Sequence, residues 1–447
     1  MAGIGWRLER LLDEGITGAT AAYAMGAAVM ALPWALTTVV LASLPVVLGT
    51  RADLAAASVV VNTAYAVAML ASGPIQIVAS RYAADRVYER RPRAIAEPFC
   101  RALGATFPAC ALPAAVALLA LGQPARTALW GAALSAVVGA QWTALSVGNG
   151  LCSPALVPVA VVSGAALSFL LAAALVVAGL GVPGYLFGMV SGQTLSLVIL
   201  LVGILRALPD ETEAGASLLA AFRDYATLAA AGLAFNASLW IDKLVVQCLA
   251  GGPAAALHSG ASTLAWFSAI PCLAWIFVEV ETRFHRRFRS FYLALESGAS
   301  LAELRGGVRT LLTEARRLLG GAVSVQAGTI AFLEVAAGPV AHRLGLPPAE
   351  VLAYRFLLVA TGAQSVGLLG LILLYYFDAR RDACLAAAAL LAAVTAFTAA
   401  AIASGLPPGA GTALGCVAGA LLVWRLVFRG VSAVLQHALV DQPLDAG

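Results

Sequence analysis

Twelve apolar blocks dominate this chain of 447 residues, at roughly 17–47, 54–79, 102–121, 127–149, 154–180, 184–205, 225–250, 258–280, 318–340, 351–376, 384–404 and 409–428. Each reaches the ~20 residues a helix needs to cross a bilayer core of about 30 Å. Charged residues are 11% of the chain, roughly half the usual share. A water-soluble protein of this size has no way to hide so much apolar surface. The longest polar stretches, 81–101, 206–224 and 281–317, leave no room for a large soluble domain.

Basic residues orient the blocks. Of 27 lysines and arginines, 22 fall in the N-terminal segment, the even-numbered loops or the C-terminal end, where Arg425 stands in the last turn of the final block. Arg51, Arg126 and Arg343 stand in odd-numbered loops, and Lys243 and Arg355 lie within blocks. Basic loops stay on the cytoplasmic side. The sequence therefore predicts an all-α polytopic protein with twelve transmembrane helices and both termini in the cytoplasm. Met1–Glu14 mixes charges of both signs, so no cleavable signal peptide is expected there. Instead Trp6, Leu8, Leu11 and Leu12, beside Arg7, Glu9, Arg10 and Asp13, suggest a short interfacial helix.

The blocks divide into two sixes at the linker 207–224, giving expected lobes 1–206 and 225–447. In each half the second span runs into a basic segment, 81–91 in the first and 281–289 in the second. Two halves that both start inside predict parallel repeats about an axis along the membrane normal, with a central cavity where they meet. Pro33, Pro45, Pro74, Pro108, Pro113, Pro158 and Pro271 are expected to interrupt helices. After the eighth span, Phe284, Phe288, Phe291, Tyr292 and Leu295 form a stripe bordered by Arg283, Arg286, Arg287 and Arg289. That pattern predicts a helix lying along the inner leaflet. Arg81, Arg86, Arg283, Arg286 and Arg287 are the expected contacts with the membrane surface or a partner.

Charges within spans point to function or to locked packing. Lys243, the single lysine, stands in the seventh span beside Asp242. Helical spacing aligns it with Asn236, Trp240 and Gln247 and turns Asp242 elsewhere. Two readings stay open: a polar stripe with an indole platform for sugar rings, or charges that find partners on neighbouring helices. Glu334 and Arg355 suit an ion pair across adjacent helices. Glu279 and Glu281 end the eighth span, where they attract a cationic substrate or bond nearby arginines.

Signatures of enzymes are missing. Lys243 has no glycine-rich phosphate cradle before it, and His258, His285, His342 and His437 lack metal spacing. Seven cysteines, mostly within spans, read as small packing residues. No cofactor, metal or nucleic-acid partner is expected.

Several stretches resemble the PelG family of inner-membrane transporters from bacterial Pel exopolysaccharide systems: 1–12, 80–89, Leu239–Leu244, Ile270–Tyr292 and, more weakly, 375–381. The resemblance implies a fold of the multidrug/oligosaccharidyl-lipid/polysaccharide exporter superfamily, MATE-like, with two six-helix lobes. It also implies a galactosamine-rich polymer as substrate. The implied partners are a cytosolic glycosyltransferase and membrane proteins of the same system, one of them sensing cyclic di-GMP. The expected function is export of that polymer across the cytoplasmic membrane. Asn236, Trp240, Lys243 and Gln247 would contact sugar, and Asp242, Glu279 and Glu281 would shape the potential. The rivals are a cation-coupled multidrug-type antiporter and a non-transporting scaffold that recruits a glycosyltransferase.

Overall fold

The computed structural model describes residues 2–48, 53–153, 155–209, 213, 217–344 and 347–436. Arg51, Asp210–Thr212 of the linker and His437 lie outside them. Eighteen α-helices follow one another among the described residues. They are α1 (Ala2–Asp13), α2 (Gly15–Met30), α3 (Leu32–Leu48), α4 (Asp53–Tyr88), α5 (Ala96–Ala120) and α6 (Ala125–Leu151). Next come α7 (Leu156–Leu175), α8 (Gly181–Ala207), α9 (Leu218–Asp224), α10 (Ala226–Ser238), α11 (Ile241–Ala250) and α12 (Gly252–Trp266). The last six are α13 (Ala269–Glu279), α14 (His285–Glu296), α15 (Leu301–Leu344), α16 (Pro348–Tyr376), α17 (Arg380–Ala403) and α18 (Pro408–Gln436).

By length and composition, eight described helical segments are apolar enough to cross a membrane, or up to eleven if each of three bent pairs is one span. One of the eight, Leu156–Ala207, is 52 residues long. It holds α7 and α8, joined through a break where Gly179 takes φ 89° and Gly181 φ 52°, backbone that L side chains resist. Beyond the break the two helices run antiparallel. A Cβ on Gly188 would sit on Ala172, and one on Gly192 would lie 2.1 Å from Ser168 Oγ and 2.3 Å from the Gly164 carbonyl. Lipid tails are as apolar as leucine, so helices in a bilayer associate through close packing, which small residues permit.

The chain divides into two compact units. One runs Ala31–Asn236. The other joins Ala2–Met30 to the chain from Ala237 onward. Compared with the expected lobes, each unit takes the opening half-span of the other half: α2 belongs with the second unit and most of α10 with the first. Inside the first unit α3 packs on α7, α4 on α6, α5 on α6, α6 on α8 and α7 on α8. Inside the second, α11 packs on α17, α12 on α16, α15 on α16, α16 on α18 and α17 on α18. The same five pairings thus recur in order. The cores are aliphatic: Leu118, Leu134, Leu186, Met189 and Leu200 in the first unit are fully buried, as are Leu311, Leu318, Leu358, Leu369 and Leu390 in the second.

Two expectations are revised. Pro74, Pro108 and Pro113 lie inside continuous helices. The sharp bends fall instead between α2 and α3 (67°), α9 and α10 (83°), and α12 and α13 (43°). Pro33 and Pro271 sit just inside the helix that follows a bend, in the first turn, where a missing N–H costs nothing. The aromatic stripe after the eighth span packs on protein at its start. A π turn, Val280–Phe284, leads directly from α13 into α14. Phe284 is fully buried, with ring centroids 5.4 Å from Tyr376 and 6.0 Å from Phe377 at the end of α16.

Candidate functional site

The break between α10 and α11 creates the site. Ending a helix inside an apolar body strands backbone carbonyls, and each needs a donor. The Ala237 carbonyl accepts from the Trp240 N–H at 3.0 Å. Gln364 Nε2, on α16, donates to the Ser238 carbonyl at 3.0 Å. Lys243 Nζ donates to the Leu239 carbonyl at 3.2 Å. The broken span is thus mended partly by its own lysine.

The same ammonium donates to Asp242 at 3.0 Å and 3.3 Å to the two carboxylate oxygens. Helical spacing alone had set Asp242 and Lys243 on different faces. At the first turn after a break, the four-carbon lysine stem folds back along the helix end and reaches its neighbour. The other side of Asp242 meets His258 Nε2 on α12, at 2.8 Å. Asp242 and His258 are almost wholly buried and Lys243 mostly so. Trp240 lies beside them, half-buried, with Lys243 Nζ 5.6 Å from its ring centre, within cation–π range.

Ser262, Trp266, Thr361, Gln364 and Thr412 close over this cluster around a cavity of about 10 Å³, room for about one water. In this conformation the cavity does not admit a sugar ring. Chemically, the cluster is a buried cation and anion in contact, with an imidazole nitrogen on the carboxylate's second oxygen.

The remaining expected residues fall elsewhere. Asn236, on α10, belongs to the first unit, where Nδ2 donates to the Met69 carbonyl at 3.0 Å and the side chain fills the space above Gly73. Gln247 is exposed farther along α11. Glu279 accepts from Arg317 Nη2 at 2.7 Å, and Glu281 from the Tyr376 hydroxyl at 3.4 Å. Arg283 Nε donates to Glu314 at 3.0 Å, and Arg286 Nε to Glu9 on α1 at 3.0 Å. In the first unit Arg81 pairs with Asp85 (3.1 Å), while Arg86 pairs with Glu89 (2.6 Å) and covers the Tyr82 ring. Arg287 is exposed. The Glu334–Arg355 pair expected across adjacent helices forms at 3.1 Å. His258, Gln364 and the small polar residues of α12, α16 and α18 were not anticipated. Each lies in an apolar helix whose contacts are with residues distant in sequence.

A family model described as "PelG: Putative exopolysaccharide Exporter (EPS-E)" matches residues 1–437. No curated protein matches the sequence. Solved structures of the MATE fold resemble the chain along nearly its whole length. One, a MATE in the straight conformation, has a TM-score of 0.66 at 15% identity and covers 97% of each chain. A MATE in complex with MaL6 has a TM-score of 0.65 at 14% identity, over 93% of this chain and 97% of its own. A transporter of the MOP superfamily from Pyrococcus furiosus, described as having a binding pocket of reversed polarity, has a TM-score of 0.65 at 15% identity, over 93% and 96%. At such identities the likeness speaks to the fold.

Proposed function

The chain belongs to the PelG family of exopolysaccharide exporters and has the fold of MATE transporters, and from that premise we propose that it moves a Pel-like, galactosamine-rich polymer across the bacterial cytoplasmic membrane. The family match over residues 1–437 carries this reading. In it the chain crosses the bilayer twelve times and keeps both termini inside. Support comes from the arginine-rich even loops and from the antiparallel α7–α8 pair, which raises a count of eleven spans to twelve. A cytosolic glycosyltransferase supplies the polymer from the same side as those loops.

Trp240 and Lys243 are the proposed sugar contacts, an indole face for pyranose rings beside a donor for hydroxyls. Asp242 holds Lys243 in place, and Glu279 and Glu281 set the potential at the inner end. The test is a chromosomal deletion complemented with wild type or Trp240→Ala. Loss of secreted polymer in the deletion, restored by wild type and not by a normally abundant Trp240→Ala, is the expected result. Normal secretion in the deletion strain excludes the export role, and normal secretion by Trp240→Ala removes that residue from the site.

A second reading, a cation-coupled antiporter, is favoured by one observation: a carboxylate and an imidazole, Asp242 and His258, meet at 2.8 Å in a buried position within the apolar helices. Loss of resistance to cationic drugs on deletion, with polymer unchanged, selects it.

A further inference from the structure

Between α14 and the early turns of α15 lies a groove of about 320 Å³, at the small end of ligand-pocket sizes (roughly 300–1,000 Å³). Four guanidinium groups line it, from Arg283, Arg287, Arg309 and Arg317, with Glu314 as the one carboxylate. Glu314 is buried and accepts from Arg283 Nε at 3.0 Å and Arg317 Nε at 2.5 Å. Glu279 takes a second donor of Arg317. These two arginines are therefore oriented and neutralised by carboxylates already in place.

Arg287 and Arg309 are different. Both are exposed, and among the described residues neither meets a carboxylate. The threonine hydroxyls of the groove, on Thr310 and Thr313, give their hydrogens to the Gly306 and Arg309 carbonyls. Donors for an incoming anion therefore come from the arginines alone. Two positive charges, Arg287 on α14 and Arg309 on α15, line one concavity with no carboxylate of their own among the described residues.

We propose that this groove binds a phosphate-bearing anion, clamped between Arg287 and Arg309. A carboxylate ligand would leave one of the two charges unmatched; a phosphate presents several oxygens to two planar guanidinium forks, which bind it bidentately. The rest of the groove gives space for what the phosphate is attached to. Such a group has two sources, the headgroup of an anionic phospholipid or a phosphorylated solute of the cytosol. The inference is independent of the export reading, since it concerns neither Trp240 nor Lys243.

The test compares purified wild type with R287Q/R309Q and with R309Q alone. In neutral detergent, inorganic pyrophosphate is titrated while thermal unfolding is followed. In parallel, protein from nanodiscs of phosphatidylglycerol and phosphatidylcholine is examined by native mass spectrometry for retained lipid. A solute site gives pyrophosphate stabilisation of wild type that weakens by on the order of tenfold in apparent affinity in R309Q. A lipid site gives phosphatidylglycerol retained by wild type and lost from the variants, with pyrophosphate without effect. Either result supports the proposal. Equal behaviour of wild type and R309Q in both arms overturns it; if the double variant fails to fold, R309Q alone decides.

Discussion

Lys243 serves two groups with one ammonium: the carbonyl of Leu239, stranded where the helix breaks, and the carboxylate of Asp242. Removing one member of a buried pair leaves an uncompensated charge, which costs about 3–5 kcal/mol. Asp242→Ala is therefore expected to lower the thermal midpoint of the purified protein strongly. His258→Gln, which keeps a donor near the carboxylate, is expected to lower it less. Replacing both charges in D242A/K243M is expected to recover part of the loss, and a double variant worse than the sum of the singles contradicts the pairing. The lysine and aspartate stand out in the sequence as charges in an apolar block. His258 does not, because its partner lies sixteen residues away across a helical hairpin, and periodicity reports only the faces of a single helix. The expected stripe through Asn236 also fails to form one face, since the turn at Leu239–Trp240 separates α10 from α11.

Among the elements, the helical hairpins depend on small residues at four-residue spacing. Gly164, Ser168 and Ala172 of α7 meet Gly188, Gly192 and Ser196 of α8 in antiparallel register. On α18, Gly411, Gly415 and Gly419 meet Thr398, Val394 and Leu390 of α17 in the same way, and Thr398 bonds Thr412 at 3.1 Å. Gly192→Leu is expected to force the hairpin apart and sharply reduce the monodisperse fraction in gel filtration. Gly104→Ala, where the added methyl meets nothing within 4 Å, is expected to be neutral or slightly stabilising through helix propensity. If both variants behave alike, close packing of α7 on α8 is not what holds the first unit. The blocks themselves were legible from hydropathy, and the sharp bends were not. Proline marks two of them from inside the next helix, whereas the α9–α10 bend has none and is held by the Tyr225 hydroxyl donating to Asp85 at 2.6 Å.

For the whole molecule, charge distribution and family point the same way. Arginines crowd the even loops, the family is one of exporters, and the fold is that of MATE transporters. The paired layout of basic segments after the second and eighth spans suggested a duplicated chain, and the five recurring helix pairings accord with it. The placement of α2 and most of α10 with the other half's unit has no signal in composition, because an apolar half-span reads the same whichever neighbours it joins. A reporter fused to the C-terminus is expected to be active in the cytosol, and one inserted near Arg126 active in the periplasm. The reverse pattern contradicts the proposed orientation.

Transport itself is the most direct test. Purified protein in liposomes is offered galactosamine-rich oligosaccharides, with Trp240→Ala and protein-free vesicles beside it. Entry of sugar that requires the protein and falls with Trp240→Ala is the predicted result. Vesicles that stay as impermeable as protein-free ones, while a cationic drug is taken up against a proton gradient, would contradict it.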